Sequence, residues 1–220
     1  MLTKAQEKLI KSLHTKKGRQ KAGLCLVEGK KNIELAGDLI EYKFTKEDSS
    51  EFDKLVTTET PQEIAGVAKI PEFTLEDIKK HDTVVVLDNI QDPGNVGTIS
   101  RLCLGFDASL LLINSVDPTS PKVIRSSAGA VFQVPWMKTT EKTLQNFKRK
   151  TYRLEKRTGA KALTSKSKLN QKCIIIAGNE GQGIKLDVKG DSIFINHNKK
   201  LESLNVASAL SIILHHKFNI

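Results

Sequence analysis

Residues 83–114 read TVVVLDNIQDPGNVGTISRLCLGFDASLLLIN. Two apolar runs, TVVVLD (83–88) and SLLLIN (109–114), flank a turn and an amphipathic segment. Neither run alternates, and continuous apolar strands belong in a sheet covered on both faces, as parallel sheets are. Between them Pro93-Gly94 makes a turn, Asn95 can cap a helix, and Gly105 stops it. Along that helix Val96, Ile99, Leu102, Cys103 and Phe106 fall within about 120° of one another, and Arg101 projects on the far side. Strand, helix, strand in this order is the repeating unit of an α/β fold.

Working outward, CIIIAG (173–178) and SIFIN (192–196) read as further buried strands, and 203–216 as a closing helix capped by Ser203 or Asn205. The upstream part is weaker. It reads as a helix over 4–13, a basic loop over 16–23, a strand over 24–29 and a helix over 31–36. Weak strands follow at 39–44 and 55–58, then a short helix or turn and a strand across 60–70. Pro71 to Asp82 reads as a linker. The expected architecture is a mostly parallel α/β sheet with helices on both faces, preceded by a small α/β unit. The expected division is 1–78 and 79–220.

The 220 residues carry a formal charge of +10, unevenly placed. Residues 1–31 are at +7 and residues 142–172 at +10, leaving the rest at −7. Two basic segments on an acidic body point to a polyanion such as RNA. Aromatic residues are only 5% of the chain, so contacts to phosphates are expected rather than base stacking. The residues expected to make them are Lys16, Lys17, Arg19 and Lys21, then Lys148, Arg149, Lys150 and Arg153. No run of eighteen apolar residues is present, so no membrane span is expected. The basic, amphipathic N-terminus lacks the apolar core of a secretory signal. Cys25, Cys103 and Cys173 lie far apart in apolar stretches, as buried thiols of a reducing cytoplasm do.

Three loops follow predicted strands: DNIQDPGNVG (88–97), AGNEGQGI (177–184) and INHNKKLESLN (195–205). Open α/β sheets bind ligands at that edge. The second loop lacks both GxGxxG and a P-loop lysine, which demotes a nucleotide-dependent enzyme. No catalytic triad is visible, and Asp88 with Asp92 does not amount to a metal site. His197, in the third loop, is the one histidine read as a candidate ligand contact.

Taken together, LDNIQDPGNVGTISR (87–101), SSAGAVFQVPW (126–136), AGNEGQGI and ESLNVASAL (202–210) resemble, in order and spacing, the signature motifs of the SpoU (TrmH-like) branch of the SPOUT RNA methyltransferases. Residues 8–36 resemble the substrate-binding domain, similar to a small ribosomal protein, that often precedes them. The resemblance implies 2′-O-ribose methylation of RNA, most of all large-subunit rRNA, with S-adenosylmethionine as donor. It also implies a C-terminal trefoil knot and a cytoplasmic homodimer. Asn95 and Arg101 match the first motif, Glu180 the acidic position of the second, and Ser203 and Asn205 the polar pair of the third; these five are the expected catalytic residues. Gly178, Asn179, Gly181, Ile195, Asn196 and Leu204 match positions around the cofactor.

One departure stands out. The family's third motif reads Ile-Pro-Met with a glycine two residues later, but here Ile195 is followed by Asn196, His197, Asn198 and Lys199. Loss of the stiffening proline implies a looser loop and weaker cofactor binding. It also keeps open a competing expectation, an RNA-binding relic without transfer activity. A tRNA ribose methyltransferase is the third reading.

Overall fold

The structure, a computed structural model, describes residues 1–219. The N-terminal part runs α1 (Lys4–Leu13), α2 (Lys16–Ala22), β1 (Leu24–Glu28), α3 (Lys30–Ala36), β2 (Ile40–Thr45), α4 (Phe52–Leu55) and β3 (Ile64–Lys69). The remainder runs α5 (Leu75–Lys80), β4 (Thr83–Asp88), α6 (Pro93–Gly105), β5 (Ala108–Ile113), α7 (Pro121–Ser126), β6 (Trp136–Thr139), β7 (Lys150–Leu154), β8 (Lys161–Ala162), β9 (Cys173–Gly178), β10 (Asp191–Phe194) and α8 (Val206–Phe218).

Strands β4 and β5 are buried at every residue, as their unbroken apolar runs require. They belong to a seven-stranded sheet of order β6-β5-β4-β9-β7-β10-β8, parallel throughout. Alternate residues face opposite layers. Val85 and Leu87 pack with side chains of α6, α7 and α8, whereas Val84 and Val86 pack with Ile78, Leu144, Phe147 and Leu186. The N-terminal sheet, order β1-β3-β2, is antiparallel. Leu26 faces a small core with Ile10, Leu13, Phe44, Phe52 and Leu55. Cys25 and Val27 face the other way and join the large core.

Ion pairs also tie the two parts together. Arg19 Nη2 lies 2.6 Å from Asp117 Oδ2, and Arg125 Nη1 lies 2.9 Å from Glu28 Oε1. All four groups come from different elements or loops, so the small sheet is held against the large one rather than tethered to it.

Four local expectations are corrected. The basic loop over 16–23 is α2, because Thr15 Oγ1 caps it by accepting from Gly18 N–H and Gly23 closes it at φ 66°. The strand expected at 55–58 is instead the end of α4, where Leu55 turns into the small core. The linker at 71–82 contains α5, started by a Thr74–Asp77 capping box and holding Ile78 in the core. Of the short helix or turn expected before β3 only bends are present, without a helix, and of the two caps offered for α8 it is Asn205 that caps the helix.

Candidate active site

All three loops leave the C-terminal ends of strands of the large sheet, β4, β9 and β10. Their convergence starts with a capping choice. Asp92, not Asn95, is the N-cap of α6: its carboxylate accepts from Gly94 N–H at 3.1 Å and Asn95 N–H at 3.3 Å, with Pro93 at the first helical position. The side chain of Asn95 is thereby free to reach outward.

It reaches the other two loops. Asn95 Nδ2 donates to Glu180 Oε1 at 2.7 Å, across 85 residues of sequence. Asn205 Nδ2 donates to Asn95 Oδ1 at 2.8 Å, across 110 residues, and lies 3.5 Å from Glu180 Oε1. Asn205 Oδ1 meanwhile accepts from Ala207 and Ser208 N–H and caps α8. One amide therefore caps with its oxygen and bridges with its nitrogen. Aspartate in its place keeps the cap and loses the donor, and serine keeps the cap with a hydroxyl too short to span to Asn95 as the amide does.

The second loop folds back on its own strand. Asn179 Oδ1 accepts from Gly181 and Gln182 N–H, and Gly183 N–H returns to Asn179 O. A Cβ on Gly178 would lie 2.4 Å from the Gly183 carbonyl, so only glycine permits this fold-back. Asn179 Nδ2 and Gln182 Oε1 reach the first loop at Asn89, and the buried Asp88 carboxylate accepts from Lys185 and Leu186 N–H.

Glu180 also forms part of the wall of a cavity of about 430 Å³, lined by Gly178, Asn179, Glu180, Ser203 and Leu204 among the expected residues. A neighbouring space of about 150 Å³ adds Ile195 and His197. Leu154, Glu155 and Lys156, from the end of β7, line both spaces and were missed because β7 carries no apolar run. Gln182, Val206 and Ala209 also line the larger cavity, within motifs whose other residues were chosen. Burial pushes the Glu155 carboxyl up, but Arg153, Ser192 and Arg157 outweigh it and hold it below its ordinary range. The walls are thus apolar side chains, turn backbone, the carboxylates of Glu155, Glu180 and Glu202 and one ammonium, Lys156, whose Nζ lies over the Phe194 ring; the carboxylates outnumber it, a lining suited to an apolar ligand body with a cationic end. The third loop is held without its proline: His197 Nδ1 meets Ile195 O at 2.8 Å, and Asn198 accepts from Lys200 and Leu201 N–H.

Other expected residues lie outside the cavities. Asn95, Asn205, Gly181 and Asn196 line neither space, Asn95 and Asn205 meeting the larger one only through Glu180. Arg101 is exposed on α6, lines neither space, and forms no ion pair or side-chain hydrogen bond among the described residues. Lys16, Lys17, Lys21, Lys148 and Lys150 are exposed, with Lys150 paired to Asp191 at 2.8 Å. The arginines read as phosphate contacts turn inward instead. Arg19 is buried, donating to Leu13 O, His14 O, Thr119 Oγ1 and Asp117. Arg153 is buried against Glu155 and the carbonyls of Leu186 and Val188. Arg149 is half-buried against the carbonyls of Lys79, His81 and Asp82. Among the described residues, no cluster of three or more His, Cys, Asp or Glu is placed to hold a metal, and no helix is long and apolar enough to cross a membrane.

The sequence model of the SpoU rRNA methylase family matches residues 82–215, more than half of the chain and all three loops. The chain belongs to that family. Like other SpoU proteins it is similar to methyltransferases over nearly its whole length. A Bacillus subtilis protein named 23S rRNA (guanosine(2553)-2′-O)-methyltransferase RlmP is 30% identical, over 94% of this chain and 93% of its own. A Synechocystis tRNA/rRNA methyltransferase is 28% identical, over 97% and 92%. A solved TrmH-family structure from Porphyromonas gingivalis superposes at TM-score 0.81 with 27% identity, covering 99% and 98%. An S-adenosylmethionine-bound rRNA methyltransferase from Sinorhizobium meliloti shares the fold at TM-score 0.84 and 23% identity, covering 100% and 96%. The SpoU assignment and the convergent loops make this chain an RNA methyltransferase.

Proposed function

We propose that the chain methylates a ribose 2′-hydroxyl of large-subunit rRNA, and that its division of labour follows residues 1–78 for RNA binding and 79–220 for transfer. The observation that carries this reading is the Asn95–Glu180–Asn205 bridge, which joins three loops far apart in sequence and sets Glu180 in the wall of the cavity of about 430 Å³. The Bacillus subtilis relative's name supports the substrate class.

S-adenosylmethionine supplies an electrophilic methyl group on a sulfonium. The cavity fits it: Leu154, Leu204 and Val206 offer apolar walls, backbone at Gly178 comes close, and Glu155, Glu180 and Glu202 offer negative charge. Asn95 and Asn205 hold Glu180 in place, so the pocket's carboxylate and the cap of α8 are set together. A ribose hydroxyl is a poor nucleophile and must be oriented before it attacks. Arg101 neutralises the neighbouring phosphate and stabilises the developing alkoxide; a guanidinium is too basic to act as the base itself.

Arg101 stands beside an apolar strip. Leu104, Ile212 and Phe218 are exposed on α6 and α8, and Phe106 packs edge-on against Phe218 and His215. A homodimer through this strip covers it and places Arg101 at the interface. The trefoil knot belongs to the same proposal, supported by the late strand β9 lying between β4 and β7. The reading places the protein in the cytoplasm, with its rRNA.

Two measurements test it. Mapping of ribose methylation in total RNA from cells with and without the gene is expected to show one large-subunit rRNA position that depends on it. Isothermal titration is expected to show donor binding. Donor binding with an unchanged methylation map would reject the substrate; no binding at millimolar donor would reject the transfer reaction.

A further inference from the structure

The second basic segment does not serve RNA through the arginines the sequence offered, since Arg149 and Arg153 are spent on carbonyls. Its lysines gather elsewhere. Three recesses of about 550, 350 and 220 Å³ run together, the first two sharing Ser167, Lys168 and Leu169, the last two sharing Lys161 and Asp191. The trough begins at Lys217 near the end of α8 and runs past Lys166, Lys168, Lys150 and Lys161 to Arg157.

Its charge is one-sided. Among the described residues Asp191 is the only carboxylate lining the three recesses, and it is paired with Lys150 at 2.8 Å. Arg157 is paired with Glu155 at 3.1 Å. Lys161, Lys166 and Lys168 are exposed and form no ion pair among the described residues. The loop that presents them is fastened at several points. Leu163 N–H donates to Phe194 O at 2.8 Å, Thr164 and Ser167 close a turn, and Ser167 O meets His216 Nε2 at 2.7 Å. The hydroxyl of the buried Tyr152 exchanges hydrogen bonds with Asn170. The backbone is therefore set while the ammonium heads remain in water. Among the described residues no exposed aromatic ring lines the trough, which leaves phosphate as the group it recognises rather than a base.

Position gives the trough a separate role. Lys150, Lys161 and Asp191 are the first residues of β7, β8 and β10, whereas the methyl-transfer pocket lies at the opposite, C-terminal edge of the sheet. From Asn205 to Lys217 the helix α8 spans about 18 Å. We propose that this trough is a second RNA-backbone site, which holds phosphates of the substrate outside the methyl-transfer pocket without reading base sequence. The proposal rests on the reading that the chain acts on RNA.

The test compares the full-length protein, K161Q/K166Q/K168Q, and a control that removes equal charge outside both 1–78 and 142–172, K79Q/K80Q/K122Q. Binding of 23S rRNA transcribed in vitro is measured against salt concentration, and donor binding by calorimetry reports an intact fold. Three lost phosphate contacts, each worth about 0.7 in the log–log salt slope, flatten it by about 2 and weaken binding about 50-fold at 0.15 M salt. Donor affinity stays the same, and the control changes RNA affinity less than about threefold. The proposal is overturned if the trough variant binds RNA with the parent's slope, or if the control loses as much. If the parent itself binds no RNA, the RNA reading falls with it, and the outcomes are distinguishable.

Discussion

Replacing Arg19 with methionine keeps most of the buried length of the side chain and removes the guanidinium. That group is 4% exposed and its partner Asp117 12%. It donates to Leu13 O at 3.0 Å, His14 O at 3.2 Å, Thr119 Oγ1 at 3.2 Å and Asp117 Oδ2 at 2.6 Å. Removing one partner of a buried pair costs about 3–5 kcal/mol, out of a total stability of about 5–15 kcal/mol. With a urea m-value of about 2.5 kcal/mol/M, the unfolding midpoint falls by roughly 1–2 M. Urea titration followed by circular dichroism at pH 7 measures it. Adding Asp117→Leu to Arg19→Met removes the orphaned carboxylate and recovers much of the loss. The pH dependence has a definite sign. In the parent, burial pushes the Asp117 carboxyl up, but the hydrogen bond and charge of Arg19 outweigh it and hold it below its ordinary range. A depressed folded value means the pair stabilises fully above the unfolded carboxyl value of about 3.9 and less as pH falls through the lower folded one. In the variant burial is opposed only by the hydrogen bonds from Thr119, so the carboxyl rises, acid relieves the variant first and the gap between the two proteins narrows on acidification. Because Arg19 faces inward, the salt slope of RNA binding stays unchanged in Arg19→Met. A loss below about 1 kcal/mol, the range of an exposed pair, combined with a flatter salt slope, would refute this account and return Arg19 to the RNA surface.

Arg101→Ala is expected to lower kcat about 10²- to 10³-fold in a methyl-transfer assay, with donor affinity by calorimetry unchanged; near-normal turnover removes it from the mechanism. Asn205→Asp keeps the cap of α8 and loses the donor to Asn95, and Asn205→Ser keeps the cap but shortens the arm that reaches Asn95, so thermal midpoints stay within a few degrees of the parent while affinity for the methyl donor drops about tenfold. Equal affinity in both variants rejects the bridge as a pocket element. Gly97→Ala puts a Cβ 1.9 Å from Ser126 Oγ and 2.7 Å from Ser127 N, where α6 crosses α7, and scanning calorimetry is expected to show a loss of about 1–3 kcal/mol. Burial pushes the Cys25 and Cys103 thiols up to about 12 and also raises Cys173, so a thiol reagent at pH 8 is expected to titrate no cysteine in the native protein and three in urea.

How far the chain could be read depended on where each residue finds its partner. The strands β4, β5 and β9 were legible because an unbroken apolar run has few places to go except a sheet covered on both faces. Strand β7, KTYRL, was not, since its burial relies on Arg153 being satisfied by carbonyls more than thirty residues downstream. The site residues came from the resemblance, and local propensity alone assigned Asn95 the wrong task. Asp92 followed by Pro93 makes the better helix start, and taking the cap away from Asn95 is what lets it bridge. The charged segments carry the same lesson in its sharpest form. A count of cations treats lysine and arginine alike, yet Arg19, Arg149 and Arg153 turn inward while Lys16, Lys17, Lys21, Lys148 and Lys150 stay exposed. The difference is chemical. A guanidinium is weakly hydrated and presents several donors in a rigid fork, so it can satisfy carbonyls and carboxylates inside a protein; an ammonium is strongly hydrated and loses more on leaving water. In a basic segment that also has to fold, arginine is therefore the residue the fold recruits, and lysine is the one left to meet the phosphates.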